Sequence, residues 1–332
     1  MKKRFITGAL VLFAGVSLLV GSVQARSMKI SHVRPQGTAI DKDLHWFSDS
    51  LKEASGGKLK SKIYPASALG DYTIVQERVS LGAISFACQP PSPAVDKRFQ
   101  ILYFPYLVEN WKQARDNYSP GAPLRKVVEG LYAEQDIHMI AAWPVYFGGI
   151  SFNKEVKDYG NPDVAKGLKL RVPPMKTLQL LADTSGYLGT PIPFSDAFTA
   201  VQTGVVDGVI GSGAEGYYSS FKDVTKYYLP ANTHFEVWYL IVSQKQFDKF
   251  SAEEKKQLQD VATQFEERRW AVAEADQAAN EKRLADYGAT ILPISEAEIT
   301  ALSNKAKAAV WPVVLGDVGE AWGQGVLDSI RK

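Results

Sequence analysis

The chain has 332 residues, with 38 Lys and Arg against 36 Asp and Glu, and one cysteine, Cys88. A formal charge of +2 gives no electrostatic claim on nucleic acid, and a lone cysteine excludes an intrachain disulfide. Such a chain must be held by an ordinary apolar core, and its length is enough for about two domains.

Residues 1–25 read as a secretory leader. Lys2, Lys3 and Arg4 form a basic start, "FITGALVLFAGVSLLVGSV" is uncharged and apolar, and "VQA" ends at Ala25 with small residues where a signal peptidase reads. The alternative is an N-terminal anchor, since the run is nearly long enough to span a bilayer. Loss of this segment removes three positive charges and takes the formal charge from +2 to −1. Cys88 lies far from the leader, which excludes a lipid anchor there. The expectation is a soluble periplasmic protein, cleaved after about Ala25.

The following segment opens with a strand-like "MKISHV" and a helical "AIDKDLHWFSDSLKEAS" that Gly56–Gly57 ends. "KLKSKIYP" alternates as a strand. "VQERVSLGAISFACQPP" reads as helix, Gly82, strand and loop, a βαβ rhythm that predicts an α/β domain with a largely parallel sheet. "DIHMIAAWPVYFGGISFN" is strand-like, interrupted by Pro144 and Gly148–Gly149.

A second α/β region follows. "GLKLRVP" is a strand that places Arg171 between apolar neighbours, and Pro173–Pro174 stops it. A guanidinium is seldom fully buried without a partner, so Arg171 asks for one. "MKTLQLLADTSG" is helical, and "SDAFTAVQTG" is a helix with Ser195 as candidate N-cap and Gly204 as the residue past its end. "VVDGVIG" is a buried strand. "RVSLGAISFA" and "AVQTGVVDGVI" are both helix–Gly–strand units, a weak internal echo.

The third region is helical. Ser251 and Glu254 make a capping box, and no Pro or Gly interrupts the chain before Gly288. With Leu258, Val261, Phe265 and Val272 as the apolar stripe, this predicts a helix of about 55 Å, long enough to cross two domains. A kinked pair of helices is the alternative. Ser295 and Glu298 start another helix, expected to end near Pro312.

Motifs for chemistry are sparse. The four histidines share no metal-ligand spacing, and there is no H-E-x-x-H, G-x-S-x-G or P-loop. No cofactor is expected. "GSGAEG", Gly211–Gly216, fits a dinucleotide fingerprint with Glu236 twenty residues beyond its last glycine, but that acid precedes a strand instead of ending one. A tight turn is the competing reading. Trp143, Tyr146, Phe147, Phe194 and Trp238 fall near strand ends, where α/β sheets bind ligands, although core packing is the commoner fate of any one of them.

At these residues a resemblance emerges. "SFNKEV", "KGLKLRVPP" and "LLADTSGYLGTPIPFSDAFTAVQTGVVDG" resemble the core of the DctP-like substrate-binding proteins of TRAP transporters. "YPASALGD", residues 64–71, and the long 251–288 helix are similar to further parts of that family. The resemblance implies a two-lobed periplasmic-binding-protein fold, with a hinge, a ligand cleft between the lobes and a domain-spanning helix. Lobe I would hold 26–145 and about 237–275; lobe II would hold 146–236 and about 276–332. It implies a protein that captures an organic carboxylate, does no chemistry, and passes the ligand to a membrane permease; apart from the resemblance, a monomer is expected.

By the same resemblance Arg171 is the carboxylate-binding arginine and Phe194 packs on the ligand, with Arg34 and Gln89 approaching from lobe I. Pro173, Ser212, Trp143, Tyr146, Phe147 and Trp238 complete the expected lining. Sialic-acid-binding members carry a second arginine where this chain has Gly148, and many members carry an asparagine where it has Gly211. Two glycines are expected to leave room for a bulkier body, such as an aryl or indolyl acid or an aromatic amino acid, whose ammonium Glu215 would meet. The alternative function is a periplasmic NAD-dependent oxidoreductase built on the 211–216 turn.

Overall fold

The computed structural model describes residues 26–331, so the leader assigned to residues 1–25 lies outside the described residues. The chain first lays down β1 (Arg26–Ser31), β2 (Leu59–Tyr64), β3 (Phe86–Gln89) and β4 (Ile137–Phe147). It then builds β5 (Gly149–Phe152), β6 (Lys169–Val172), β7 (Leu188–Pro191), β8 (Gly208–Ser212) and β9 (Tyr227–Leu229). β10 (Phe235–Ser243) returns to the first group, and β11 (Thr290–Ile291) rejoins the second. The result is two sheets, ordered β2-β1-β3-β10-β4 and β11-β9-β5-β8-β6-β7, each the centre of one lobe. The helix–Gly–strand echo has a structural counterpart: β3 pairs in parallel with β1, and β8 pairs in parallel with β6.

The two strand crossings between lobes are bonded to each other. Gly148 donates its N–H to the His234 carbonyl at 2.7 Å and accepts from Thr233 N–H at 2.8 Å. A Cβ on Gly148 would stand 2.4 Å from the His234 ring and 2.7 Å from the Thr233 hydroxyl. Gly148 is therefore filled in by its own crossing partner and opens no room for a ligand, contrary to the expectation.

Pro144 does not interrupt β4 as its sequence suggested. It lies inside the strand opposite Val237, beside a bulge where the register steps from Val237–Pro144 to Glu236–Tyr146 and skips Val145. A bulge is where a strand tolerates proline, because one ladder bond is already missing. The extra residue also puts Trp143 and Tyr146 on one face, packed in one cluster with Trp238.

The long helix runs from Ala252 to Asp286 without a break, closed at its start by the Ser251–Glu254 capping box. It packs on β4 of the first sheet and on the helix Ala214–Phe221 of the second lobe. Arg269 fixes it to the bulge: its Nε donates to the Pro144 carbonyl at 2.7 Å, and its guanidinium sits 4.2 Å over the Trp143 ring. Val272, expected in the buried stripe, is half exposed, because Arg269, Trp270 and Ala273 take the buried face where the helix leaves the first sheet. The next helix spans Glu296–Val318 and passes through Pro312 without ending there. Its apolar face, with Leu302, Ala306, Val310, Val314 and Val318 buried, holds the helix on both sides of the proline.

Candidate functional site

β6 brings Arg171 to the gap between the lobes. Leu170 and Val172 anchor the strand in the core with no exposed surface, while Arg171 points to the opposite face and is only 1% exposed. Its Nε donates to the Ile192 carbonyl at 2.8 Å, and its Nη2 is buried with no hydrogen-bond partner among the described residues. No described carboxylate pairs with it. Burial pulls its guanidinium below the ordinary value, against the opposing pull of Tyr72 and Asp71. Such an unpaired buried cation is costly unless a partner arrives.

Arg34 is the contrasting case. It is equally buried, but its Nε donates to Glu215 Oε2 at 2.9 Å and its Nη2 lies 2.8 Å from the same oxygen. Its guanidinium stacks over Phe194 and Trp238, at 5.0 and 4.8 Å from the ring centres. Burial works hardest against its charge, but Glu215, Tyr146 and Glu236 together outweigh it and hold Arg34 above its ordinary value. One cleft arginine is thus neutralised within the protein and the other is not.

Asp71 makes a second bridge. Its Oδ1 caps its own helix, Tyr72–Ser80, by accepting from Thr73 N at 3.2 Å and Thr73 Oγ1 at 3.0 Å. Its Oδ2 accepts from Phe194 N at 3.1 Å across the cleft. This explains why Ser195 is not the N-cap of the following helix. The helix is Phe194–Gln202 with Pro193 at its N-cap, and its first amide is capped by a carboxylate from the other lobe.

A narrow cavity lies between these bridges, with about 30 Å³ open to the centre of a water-sized sphere. That is room for a water or two, so the lobes are closed on each other. The second lobe supplies Arg171, Pro173, Met175, Leu178, Phe194 and Gly211. The first supplies Arg34, Tyr72, Tyr103, Tyr146, Glu236 and Trp238, among others. A wider hollow of about 900 Å³ lies elsewhere, between the two C-terminal helices and the Tyr106 loop; its Lys307 is paired to Glu109 at 2.7 Å.

Seven residues expected at the site line this cavity: Arg34, Tyr146, Arg171, Pro173, Phe194, Gly211 and Trp238. The others do different work. Gln89 donates to the Tyr72 carbonyl at 2.7 Å and holds the rim. Trp143 bonds Asp43 under the long helix, 2.8 Å from Nε1 to Oδ2. Phe147 packs edge-on against Trp111 in the core. Ser212 stands behind Tyr146, 3.5 Å from its hydroxyl. Glu215 gives Oε2 to Arg34 and keeps Oε1 buried without a hydrogen-bond partner, but it does not line the cavity. Gly211 lines the cavity at φ +93°, but a Cβ there would lie 2.5 Å from Pro173 Cδ, so protein fills that space as well.

The "GSGAEG" turn is explained by the same cleft. A Cβ on Gly213 would strike the Tyr146 ring at 2.5 Å, and one on Gly216 would lie 2.6 Å from Arg34 Nη2. The glycines admit the protein's own side chains, and Glu236 belongs to β10 of the other lobe, which removes the geometry of a dinucleotide site. Sequence reasoning missed Tyr72 and Tyr103, which stand at the start of one helix and the end of a short helical turn, and did not place Glu236 in the cleft.

Two sheets joined by paired crossings, a spanning helix and a closed cleft with one unpaired cation define a solute-binding protein of the two-lobed class. The chain belongs to the bacterial extracellular solute-binding proteins of family 7, whose model matches residues 30–313. It is a DctP-like protein of the kind that serves TRAP transporters. It is 27% identical over 254 residues, 74% of each chain, to the C4-dicarboxylate-binding periplasmic protein DctP of Rhodobacter capsulatus. Its fold is similar to that of a Bordetella pertussis extracytoplasmic solute receptor binding pyroglutamic acid, with TM-score 0.82, 24% identity, and coverage of 93% of this chain and 100% of that one. It is also similar to the sugar acid binding protein of Advenella mimigardefordensis in complex with galactonate, with TM-score 0.85, 21% identity, and coverage of 92% and 98%.

Proposed function

We propose that this protein is the periplasmic receptor of a TRAP transporter, that it closes as a monomer on an organic acid, and that Arg171 takes the acid's carboxylate. The observation that carries this reading is the asymmetry of the two cleft arginines: Arg34 is ion-paired to Glu215, while Arg171, as deeply buried, has no described carboxylate within salt-bridge distance. A guanidinium edge of that kind matches a carboxylate, and exclusion of water strengthens the pair. The relatives named above bind a C4-dicarboxylate, pyroglutamic acid and galactonate, which share a carboxylate.

The rest of the lining supports an apolar body on that acid. Phe194, Trp238, Tyr72, Met175 and Leu178 surround Arg171, so a monocarboxylate with an apolar or aromatic body fits better than a polyhydroxylated one. In this reading the two sheets are rigid lobes that part at the Gly148 and Thr233–His234 crossings to admit ligand. Mass spectrometry of the solute released by denaturing the purified protein tests it: an organic acid is expected, and a solute with no carboxylate contradicts it.

A further inference from the structure

Glu236 is the one charged residue of the cavity lining that the carboxylate reading leaves without a task. It stands near the start of β10, 5% exposed, and its side chain lines the same cavity as Arg171. A carboxylate offers about four acceptor positions. Trp238 Nε1 uses one, at 2.9 Å from Oε1. His234 Nε2 lies 3.4 Å from Oε2, too poorly placed to form a hydrogen bond, and that nitrogen has no partner. No described lysine or arginine forms an ion pair with Glu236.

The charges facing the cavity therefore divide into two sets. Arg34 and Glu215 cancel each other across the lobes. Arg171 and Glu236 remain, one cation and one anion: Arg171 has no carboxylate within salt-bridge distance, and Glu236 has no lysine or arginine there, its nearest basic neighbour being the His234 ring at 3.4 Å. A simple monocarboxylate would satisfy Arg171 and bring Glu236 no cationic partner of its own. A solute carrying both a carboxylate and a cationic nitrogen would give each a direct partner of opposite charge. Tyr72, Phe194 and Trp238 supply the apolar and aromatic wall between the two ends, and aromatic faces also favour a cation.

We propose that the ligand is a zwitterion of the amino-acid type, its carboxylate on Arg171 and its ammonium or iminium nitrogen on Glu236. The inference rests on Arg171 as the carboxylate site and adds the second pole. It moves the ammonium-binding role from Glu215, which is ion-paired to Arg34 and lies off the cavity, to Glu236, which lines it.

The test is calorimetric titration of the wild-type protein with the L-amino acids and, for each that binds, its deaminated carboxylate (for example phenylalanine against 3-phenylpropionate). Pyroglutamate, galactonate and orotate complete the panel. At least one amino acid is expected to bind about thirtyfold or more tightly than its deaminated partner, as for a buried charged contact. Glu236→Gln is expected to shrink that preference, whereas Arg171→Ala weakens both members of the pair. The wild-type ratio stands even where Glu236→Gln fails to fold, which thermal unfolding would reveal. Tighter binding of deaminated acids, or binding of pyroglutamate or a sugar acid with no amino acid bound, overturns the zwitterion and leaves the Arg171 reading intact. Binding unaffected by Arg171→Ala overturns both.

Discussion

Arg34 of the first lobe and Glu215 of the second meet across the closed cleft through one carboxylate oxygen, at 2.9 Å from Nε and 2.8 Å from Nη2. Both are almost fully buried in the closed form, and parting of the lobes is expected to return them to water. Removing one member of a buried pair costs about 3–5 kcal/mol, because the other charge is left without compensation. That cost falls on the closed form. Glu215→Gln is expected to weaken ligand binding about a hundredfold or more and to enlarge the free protein in small-angle scattering. Unchanged affinity and radius would show that the pair does not govern closure.

Asp71 separates closure from local stability. Its Oδ1 caps its own helix, and its Oδ2 holds the first amide of the helix Phe194–Gln202 in the other lobe. Asp71→Ser keeps a capping oxygen on its own helix but is too short to reach across the cleft. It is expected to retain most of the melting temperature and lose affinity. Asp71→Ala is expected to lose both, with about 1 kcal/mol of cap stability gone. Parallel calorimetry and thermal unfolding check the distinction; equal losses of melting temperature in both variants would contradict it.

His32 predicts the acid response. Burial lowers its pKa below the ordinary 6.5, and the Asp41 hydrogen bond, 3.0 Å from Nε2, only partly opposes this. His138 is lowered by burial in the same direction. A depressed pKa means that the unfolded chain takes the proton first. The stability is therefore fully present above about pH 6.5 and is lost as pH falls through the folded value, with a slope of at most about 1.4 kcal/mol per pH unit for each group. His32→Gln is expected to flatten the fall in melting temperature between about pH 6.5 and 5. An identical pH profile in the variant would remove His32 as the cause.

The sequence made Arg171 legible because a charge inside an apolar strand stopped by two prolines has few explanations. The long helix was legible for a similar reason, since a capping box and an unbroken polar run specify it locally. Glu236 was not legible. β10 is buried along its whole length, so no polar–apolar alternation marks which side chains face the cleft. Trp143 and Tyr146 were expected to share the site, but only the chain packing shows that the long helix and Asp43 hold Trp143 away from it. The glycines misled for one physical reason. A missing side chain in the sequence is not empty space, and His234 and Pro173 occupy what Gly148 and Gly211 leave. The cap of the helix at Phe194 was hidden because its capping residue, Asp71, lies 123 positions earlier in the chain.

The claim on which the account turns is that Arg171 is half of a salt bridge completed by the solute. The most direct measurement is the dissociation constant of the co-purified acid, by calorimetry, for wild type, Arg171→Ala and Arg171→Lys. The alanine variant is expected to fold, because it removes an unpaired buried charge, and to lose at least about thirtyfold in affinity, corresponding to 2 kcal/mol or more. Lysine, which lacks the planar fork, is expected to restore only part of it. A folded Arg171→Ala protein that binds the acid as tightly as wild type would contradict the account.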